Sequence, residues 1–330
     1  MLPFGARAGW QPPSLSRRAL LRAAWALAGA GSLAACQPPR LPMRVGSLVF
    51  PGYEFIYLAR ELGLLDPRLI RLVDMRANTE TVRALASGQL EAALLTVDEM
   101  LTARAEGVDL MVLAMLDASD GADAVVARPG VDLRGLRGKR IAVEDGAVGG
   151  VMLAALLDAA GLQSSDIQKV AIDLPSSLQA FEQGRADAVV SAEPWVSQME
   201  QRGGVRIFDS VRIAGRIVDV LVARRSAMDT YGDALAQLVQ GHFQALALFR
   251  TNPEKVVPLM APRLRAAPDQ VKAMFKGLNL PDARANLELL AAQGSFDAMT
   301  RDLQKFMTSS GLIRQTIPLA DFVDTRFLPR

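Results

Sequence analysis

The sequence predicts an α/β protein built from two similar lobes. The first observation is an internal repeat, because Arg44-Val45-Gly46-Ser47 reappears as Arg140-Ile141-Ala142-Val143, which lies 96 positions later. Residues 88–94 reappear as residues 184–190 with the same shift. The second observation is that short apolar segments alternate with segments of helical periodicity, which is typical of parallel sheets covered by helices on both faces. Each copy is therefore interpreted as one lobe.

The first 35 residues predict an export leader that ends at the only cysteine of the chain. A basic segment opens with Arg17 and Arg18, and an apolar run of 13 residues follows and closes as Leu33-Ala34-Ala35-Cys36. As a helix this run would span roughly 20 Å, which is too short for a hydrocarbon core of about 30 Å. The pattern is that of a signal peptide with a lipobox, so we predict cleavage before Cys36 and lipidation of its thiol. The paired arginines leave twin-arginine and general export open as alternatives.

The composition of the remaining chain excludes several classes of site and partner. Four arginines and no acid precede Cys36, which leaves 33 basic and 35 acidic residues and gives no electrostatic case for nucleic acid. Once Cys36 is lipidated no thiol remains, and His242 is the only histidine, so disulfides and thiolate or multi-histidine metal sites are excluded. We expect no cofactor, and a monomer held at the membrane by a proline-rich tether over residues 36–42.

Each copy predicts three strands, two helices and an acidic loop after the third strand. In the first copy we expect strands at residues 44–50, 70–75 and 92–96, and helices at residues 55–62 and 79–86, the second capped by Asn78. In the second copy we expect strands at residues 140–144, 169–174 and 188–191, and helices at residues 149–160 and 177–182, the second capped by Ser176.

Two further strands link the copies, and the rest of the chain is helical. The linking strands are expected at residues 110–116 and 122–127, and the chain returns through residues 215–224. The C-terminal helices are expected from an apolar stripe over residues 235–249, from Asn252-Pro253 and from Ser295 as a cap. The predicted boundaries are residues 43–121 and 222–330 for the first lobe and residues 122–221 for the second.

The loops that follow the strands predict a binding cleft between two facing lobes, because ligands of open α/β sheets bind beyond the carboxyl ends of the strands. Glycines within residues 146–150 leave free N–H groups at a helix start, which can hold an acceptor group. Aromatic residues in these loops can stack on a planar ligand or wall the cleft. The candidate ligand contacts are Phe50, Tyr53, Glu54, Thr96 and Asp98 from the first lobe, Gly146, Ala147, Val148, Glu193 and Trp195 from the second, and Ser119 and Asp219 near the hinge.

The predicted cleft edges carry acids and neither lysine nor arginine. These acids are Glu54, Asp98, Glu99, Asp117, Asp120, Asp123, Glu144, Glu193 and Asp219. For Glu99, Asp120 and Asp123 the default interpretation is a helix cap or a solvated edge. An acidic cleft disfavours a bare anion, so we hypothesise a preference for amines, amidines or aminopyrimidine-like molecules over nitrate or alkanesulfonates.

Four short motifs together resemble those of one family. They are Pro51-Gly52-Tyr53-Glu54 followed by residues 57–60, residues 87–92, residues 121–126 and Ala192-Glu193-Pro194-Trp195. Over roughly residues 43–260 the chain is similar to solute-binding proteins of the nitrate, sulfonate, taurine and thiamine-pyrimidine-precursor group. The resemblance implies a type II periplasmic-binding-protein fold, with a small nitrogen- or sulfur-containing ligand held between two hinged lobes and delivered to the permease and ATPase of an ABC importer. Members often carry tryptophan where this chain has Phe50, and the ligand differs between subfamilies.

Two other classes of function remain as alternatives. A ligand-sensing module would pass its bound state to a membrane signalling partner, and the sequence does not separate this from transport. Pyrimidine synthases of the same superfamily consume a histidine and need a cysteine-rich stretch and iron, which this chain does not provide. A Ser-His-Asp hydrolase would need His242 in the cleft, whereas its apolar stripe predicts a packed, hydrogen-bonded side chain. We therefore expect a binding protein and not an enzyme.

Overall fold

The framework of the fold consists of two sheets. The structure is a computed structural model that describes residues 41–330, with only the backbone described for Ala147. The predicted leader, Cys36 and residues 36–40 of the predicted tether lie outside the described residues. The strands are β1 (Met43–Ser47), β2 (Ile70–Asp74), β3 (Ala92–Thr96), β4 (Leu110–Ser119), β5 (Asp123–Ala127), β6 (Arg140–Glu144), β7 (Gln168–Ile172), β8 (Ala188–Ala192), β9 (Val205–Asp209), β10 (Val218–Arg224) and β11 (Leu278–Asn279).

Helices cover the sheets, as expected for a layered α/β architecture. In the described part of the chain they are α1 (Glu54–Glu61), α2 (Asn78–Ala86), α3 (Val97–Ala105), α4 (Ala147–Ala160), α5 (Ser177–Glu182), α6 (Trp195–Gln201), α7 (Gly232–Thr251), α8 (Pro253–Leu264), α9 (Pro268–Met274), α10 (Ala283–Leu289) and α11 (Ser295–Ser309). Within residues 41–330, no helix combines the length and the apolar character that a membrane span requires.

Both sheets repeat one pairing pattern. The first sheet has the order β11-β4-β10-β3-β1-β2, and the second has the order β7-β6-β8-β5-β9. In each copy the first strand lies parallel between the second and the third, and an antiparallel strand covers the other side of the third. The first copy aligns Val45 with Ala92, and the second aligns Ile141 with Ala188, which are the same positions shifted by 96. The sequence repeat is therefore a repeated structural unit.

The repeated motif supplies the same contact in both sheets. The Arg44 N–H donates to Oε2 of Glu91 at 2.7 Å, and the Arg140 N–H donates to Oδ2 of Asp187 at 2.9 Å. Each guanidinium also pairs with the same carboxylate. An acid just before the third strand thus accepts charge-assisted bonds from the start of the first strand, which stabilises the register of the pair.

Several predicted boundaries are wrong for local reasons. Strand β1 ends three residues earlier than predicted, because Pro51 begins a 3₁₀ turn. Asn78 is the first residue of α2 rather than its cap, and Ser295 is the first residue of α11, which Gly294 precedes. Helices α3 and α6 begin where the sequence predicts acidic loops after β3 and β8.

Strand β10 moves the predicted boundary between the lobes. It pairs with β3 and β4 of the first sheet from Val218 to Arg224. Residues 218–221, which the sequence predicts to lie in the second lobe, therefore belong to the first sheet. The sheet to which a returning strand belongs is determined by the strands that it pairs with. For β10 these are β3 and β4, which lie far away in the sequence.

The single histidine lies in the core. His242 on α7 is 0% exposed, and its ring centroid lies 5.7 Å from that of Phe55 and 4.9 Å from that of Phe243, both edge-on. Neither ring nitrogen has a hydrogen-bond partner in the described part of the chain, so the predicted packing is present and the predicted hydrogen bond is not. Burial lowers the pKa of His242 to about 3, which keeps the ring neutral.

Candidate ligand-binding site

A cavity lies where the strand ends of the two sheets meet. Residues at the ends of β1 and β3 border it from the first sheet, and residues at the ends of β6 and β8 border it from the second. The space that the centre of a water molecule can reach is about 50 Å³, so a larger solute requires the walls to move apart. The lining residues are Leu48, Phe50, Tyr53, Asn78, Thr96, Glu99, Asp123, Glu144, Gly146, Val148, Gly149, Leu174, Val190, Ser191, Ala192, Ile217 and Asp219.

Two aromatic rings form one wall of the cavity. The 3₁₀ turn after β1 brings Tyr53 next to Phe50, and the ring centroids lie 5.3 Å apart in an edge-on arrangement. The Tyr53 hydroxyl donates a hydrogen bond to Oδ1 of Asp219. Burial and the negative charge of Asp219 raise the pKa of this hydroxyl, so it remains a neutral donor. Tyr53 thereby holds the carboxyl group of Asp219 in place.

Glu99 reaches the cavity from the first turn of α3. Strand β3 runs directly into this helix, and the Thr96 N–H donates to Oε2 of Glu99 at 3.0 Å. Glu99 is therefore a helix cap, as its default interpretation predicts. Its other oxygen, Oε1, has no hydrogen-bond partner within residues 41–330, and burial together with Asp98 raises the pKa of the group. One carboxylate thus combines a structural bond with a free oxygen at the cavity wall.

Asp219 lies in a row of side chains that crosses the first sheet. In the strand register it is opposite Thr96 of β3 and opposite Asp117 of β4. Burial and the neighbouring Asp117 raise the pKa of Asp219, and burial raises the pKa of Asp117 to about 7. Asp117 lies behind the lining against Gly52, where an added Cβ would come within 1.8 Å of Oδ2. A residue with a side chain would displace this buried carboxyl group, so the position requires glycine.

The second sheet contributes two acids and the start of a helix. Glu144 ends β6, and Asp123 begins β5, where its N–H donates to Oγ of Ser119 at 3.1 Å. Burial raises the pKa of Glu144 to about 7 and that of Asp123 to about 6. Gly146 precedes α4 with a φ of +111°, which glycine adopts without strain, and Val148 lines the cavity from the first turn.

Every charged side chain that lines the cavity is an acid. Glu99, Asp123, Glu144 and Asp219 line it, and no lysine or arginine among the described residues does so. Burial is the main cause that raises the pKa of all four acids. The cavity is therefore a poorly solvated site of four acids whose charged forms are disfavoured, and none of the described residues adds a positive side chain to its lining.

Three of the predicted ligand contacts do not line the cavity and have structural roles instead. Glu54 is buried in α1 and forms an ion pair with Arg263 of α8. Glu193 accepts from the N–H and the hydroxyl of Ser197 at 3.2 and 2.8 Å, which caps α6. Trp195 is the first residue of α6 and packs against a small apolar cluster of the second lobe, which includes Phe181 and Met199. The partner of Glu54 is 209 positions away, whereas that of Glu193 is one helical turn away in a helix that the sequence did not predict.

The other candidates divide between the cavity and its surroundings. Asp98 is buried behind the lining, Ser119 bonds within the segment that joins the sheets, and Ala147 is the first residue of α4. His242 lies in the core and does not line the cavity. The candidates that line it are Phe50, Tyr53, Thr96, Gly146, Val148 and Asp219.

The internal repeat indicates several lining residues that were not among the predicted ligand contacts. Leu48 and Glu144 differ by 96 positions, Thr96 and Ala192 differ by 96 positions, and all four line the cavity. Asp123 and Asp219 form a third such pair. Asp219 was a predicted contact, and the position 96 residues before it is Asp123. Applying the repeat to the predicted contacts would therefore have indicated Asp123 as well.

Two α/β lobes with one strand order, which enclose a cavity at their strand ends, define a type II periplasmic-binding-protein fold. The chain belongs to the NMT1-like family, whose model matches residues 38–261. This confirms the family resemblance that the four sequence motifs indicated.

Known proteins similar to this chain include named binding proteins. The taurine-binding periplasmic protein of Escherichia coli (strain K12) is 24% identical over 255 residues, which covers 69% of this chain and 79% of that protein. A relative from the same strain, named for the binding of aliphatic sulfonates, is 24% identical over 211 residues, which covers 62% of this chain and 66% of its own length, just under two thirds. The structure of the alkanesulfonate-binding protein SsuA from Xanthomonas axonopodis pv. citri, bound to MOPS, matches with a TM-score of 0.72 at 19% identity, covering 88% of this chain and 100% of that one.

Proposed function

We propose that the protein is the extracytoplasmic solute-binding component of an ABC importer, which captures a small organic solute and presents it to a permease and ATPase. One observation carries this proposal: the strand ends of both sheets wall a single cavity. A solute in that cavity contacts both lobes, and a ligand with contacts in both lobes stabilises their closed arrangement. The names of the related binding proteins support the same class of function.

The segments that cross between the sheets offer a hinge for this closure. One joins β4 to β5 and the other joins β9 to β10. They are tied together where Oγ of Ser119 lies 2.8 Å from Oγ of Ser210 and the Gly121 N–H donates to Oγ of Ser210 at 2.7 Å. Gly121 has a φ of +110°, so the first crossing turns at a residue without a side chain. Small changes in the dihedral angles of these few residues would rotate one lobe against the other.

Filling the cavity is expected to abolish solute capture. Val148 lines the cavity, so Val148→Trp places an indole ring in the space that a solute would occupy. We expect the low-molecular-mass fraction of a host-cell extract to raise the Tm of the wild-type protein and to leave that of Val148→Trp unchanged, because only binding to the native state stabilises it. Ala159→Trp adds the same ring to an exposed position of α4 and should respond like the wild type. A normal response of Val148→Trp would place the solute elsewhere.

We further propose that the protein is exported and anchored to the membrane through Cys36. The support is the sequence Leu33-Ala34-Ala35-Cys36 after a basic segment and a short apolar run. Cys36→Ser removes the thiol that would carry the lipid, so we expect the variant to leave the membrane fraction and to accumulate as an uncleaved or soluble form. Fractionation of cells followed by immunoblotting measures this. A Cys36→Ser protein that remains cleaved and membrane-bound would contradict lipidation at this residue.

A further inference from the structure

We propose that the solute is a small organic cation of the amidine or amine type, with its N–H donors on a compact apolar body. This rests on the proposed solute-binding function and names the chemical class that the cavity takes. The observation behind it is that buried acids from both lobes meet at one cavity with apolar walls, and that no basic side chain of the described residues neutralises them.

Equivalent aspartates of the two lobes meet at this cavity. Asp123 and Asp219 differ by the 96 positions of the internal repeat, and each lies at the start of the antiparallel strand beside the third strand of its sheet. Asp123 is opposite Ala192 and Asp219 is opposite Thr96, and these two partners are themselves equivalent. One carboxyl group therefore comes from each lobe. A single cation between them would attract both lobes and favour closure.

Two of the carboxyl groups present oxygens without partners. Oδ2 of Asp123 and Oε1 of Glu99 have no hydrogen-bond partner among the described residues, and Asp219, apart from the Tyr53 hydroxyl, has only the neighbouring carboxyl group of Asp117, although Asp123, Glu99 and Asp219 are only 3%, 1% and 2% exposed. Burying an acid without donors or a counter-charge is unfavourable. A ligand that carries both N–H groups and positive charge supplies what these three carboxyl groups lack.

An anion does not fit the same surroundings. A sulfonate in the cavity would meet four acids, and no basic side chain of the described residues lines it. The start of α4 offers a helix N-terminus, which is equivalent to roughly half a positive charge. This can hold an acceptor atom of the ligand but does not balance Glu99, Asp123 and Asp219.

The remaining walls define the body of the ligand. They are formed by the side chains of Leu48, Phe50, Val148, Leu174, Val190 and Ile217. Such walls favour a hydrocarbon or aromatic body, which a bare ammonium ion lacks. The cavity thus combines a cation-binding end with an apolar pocket.

The geometry also determines how binding depends on pH. The titratable groups at or next to these carboxyl groups are Tyr53, Asp98, Glu99, Asp117, Asp123, Glu144 and Asp219, and the charges of Glu80 and Asp173 act on Glu144 from a greater distance. Burial and mutual repulsion raise the pKa of the acids at the cavity, so the free protein retains protons there near neutral pH. A cation displaces these protons and binds more tightly as the pH rises. An anion that accepted hydrogen bonds from the protonated acids would show the opposite dependence.

Benzamidine, benzamide and benzoate test the proposal, because they share one shape and differ in charge. We expect benzamidine to raise the Tm of the protein, benzamide to raise it less and benzoate to leave it unchanged. By calorimetry, the Kd of benzamidine should fall at least about threefold between pH 5.5 and pH 7.5. Overturning results are equal stabilisation by benzamide, stronger stabilisation by benzoate, tighter binding at low pH, or no response to millimolar benzamidine. The cell-extract comparison with Val148→Trp decides the proposed function separately from all of these.

Variants of the two equivalent aspartates locate the cation. Asp123→Asn and Asp219→Asn are each expected to raise the Kd of benzamidine by about tenfold or more, because each removes one attractive charge. Neither should lower the apo Tm strongly, since a neutral amide relieves the repulsion among the acids. Asp158→Asn, at an exposed position of α4, is the matched control and should bind like the wild type. Unchanged affinity in both cavity variants would overturn the proposal.

Discussion

Replacing Arg263 with methionine is expected to lower the free energy of unfolding at pH 8 by about 3–5 kcal/mol, because it leaves the buried carboxylate of Glu54 unpaired. The guanidinium of Arg263 pairs with Glu54, donates to Oδ1 of Asp74 at 2.7 Å and lies 3.5 Å from the ring centroid of Tyr57. It also donates to the carbonyl oxygen of Leu48. These contacts join α8 to α1 and to the end of β1. Methionine keeps much of the side-chain volume and removes the charge, and urea denaturation measures the loss.

A double-mutant cycle separates the charge from the packing. Glu54→Gln removes the buried carboxylate, so the double variant Arg263→Met/Glu54→Gln should regain a large part of the lost stability. Burial raises the pKa of Glu54 to about 7 even beside Arg263, so the loss in Arg263→Met should also be smaller at pH 5 than at pH 8. A double variant no more stable than Arg263→Met would assign the loss to stacking on Tyr57 instead.

The ligand-free protein is expected to lose stability as the pH rises from 5 to 8. The pKa of Asp98 and that of Asp117 are each raised from 3.8 to about 7 in the folded chain. A group with a raised pKa stabilises the fold fully below its unfolded pKa, and this contribution is lost as the pH rises through its folded pKa. One independent carboxyl of this kind changes the free energy of unfolding by roughly 2–3 kcal/mol over the range.

The buried histidine opposes this trend over part of the range. The pKa of His242 is lowered from 6.5 to about 3, so its contribution is lost as the pH falls below 6.5, by roughly 2 kcal/mol at pH 5. Several acids at the cavity carry a raised pKa, so we expect a net decrease of at least about 3 kcal/mol between pH 5 and pH 8.

Urea denaturation at pH 5, 6.5 and 8 and constant ionic strength measures this dependence. Asp117→Asn removes one of the titrating groups and should show a shallower decrease, whereas the exposed control Asp158→Asn should keep the slope of the wild type. Stability that stays level or rises between pH 6.5 and pH 8 would contradict the raised pKa values, because His242 adds only about 0.4 kcal/mol in that range.

The parts of the fold that could be predicted are those with local or repeated signals. The shift by 96 positions indicated two copies, and the pairing of Val45 with Ala92 and of Ile141 with Ala188 shows that both copies have one register. Helices α3 and α6 were missed because Thr96-Val97-Asp98-Glu99 and Glu193-Pro194-Trp195 read as polar loops. Their acids turn inward in the fold, which a pattern of exposed polar residues does not indicate.

The binding site also combines features that the sequence predicts with features that it does not, as Glu54 and Glu99 illustrate. Glu54 and Glu99 both follow a strand of the first copy, and the sequence favoured Glu54 as a ligand contact and Glu99 as a cap or solvated edge. Glu54 instead pairs with Arg263, which is 209 positions away, while Glu99 caps α3 and also lines the cavity. The cap has a local signal in the spacing of Thr96 and Glu99, whereas the pairing of Glu54 and the place of Glu99 in the cavity lining have none, because they are set by packing between distant segments.

By itself, the sequence determined that the chain holds two α/β units of one pattern and that acids without cations follow their strands. Periodicity and repetition are properties of the residue order, so they can be recognised without knowledge of the contacts in the fold. Only the tertiary structure decided which acids are paired and which remain free, and to which sheet β10 belongs. The physical reason is that burial and counter-charge depend on neighbours brought together across the whole chain, and these two quantities set the pKa and the binding capacity of a carboxyl group.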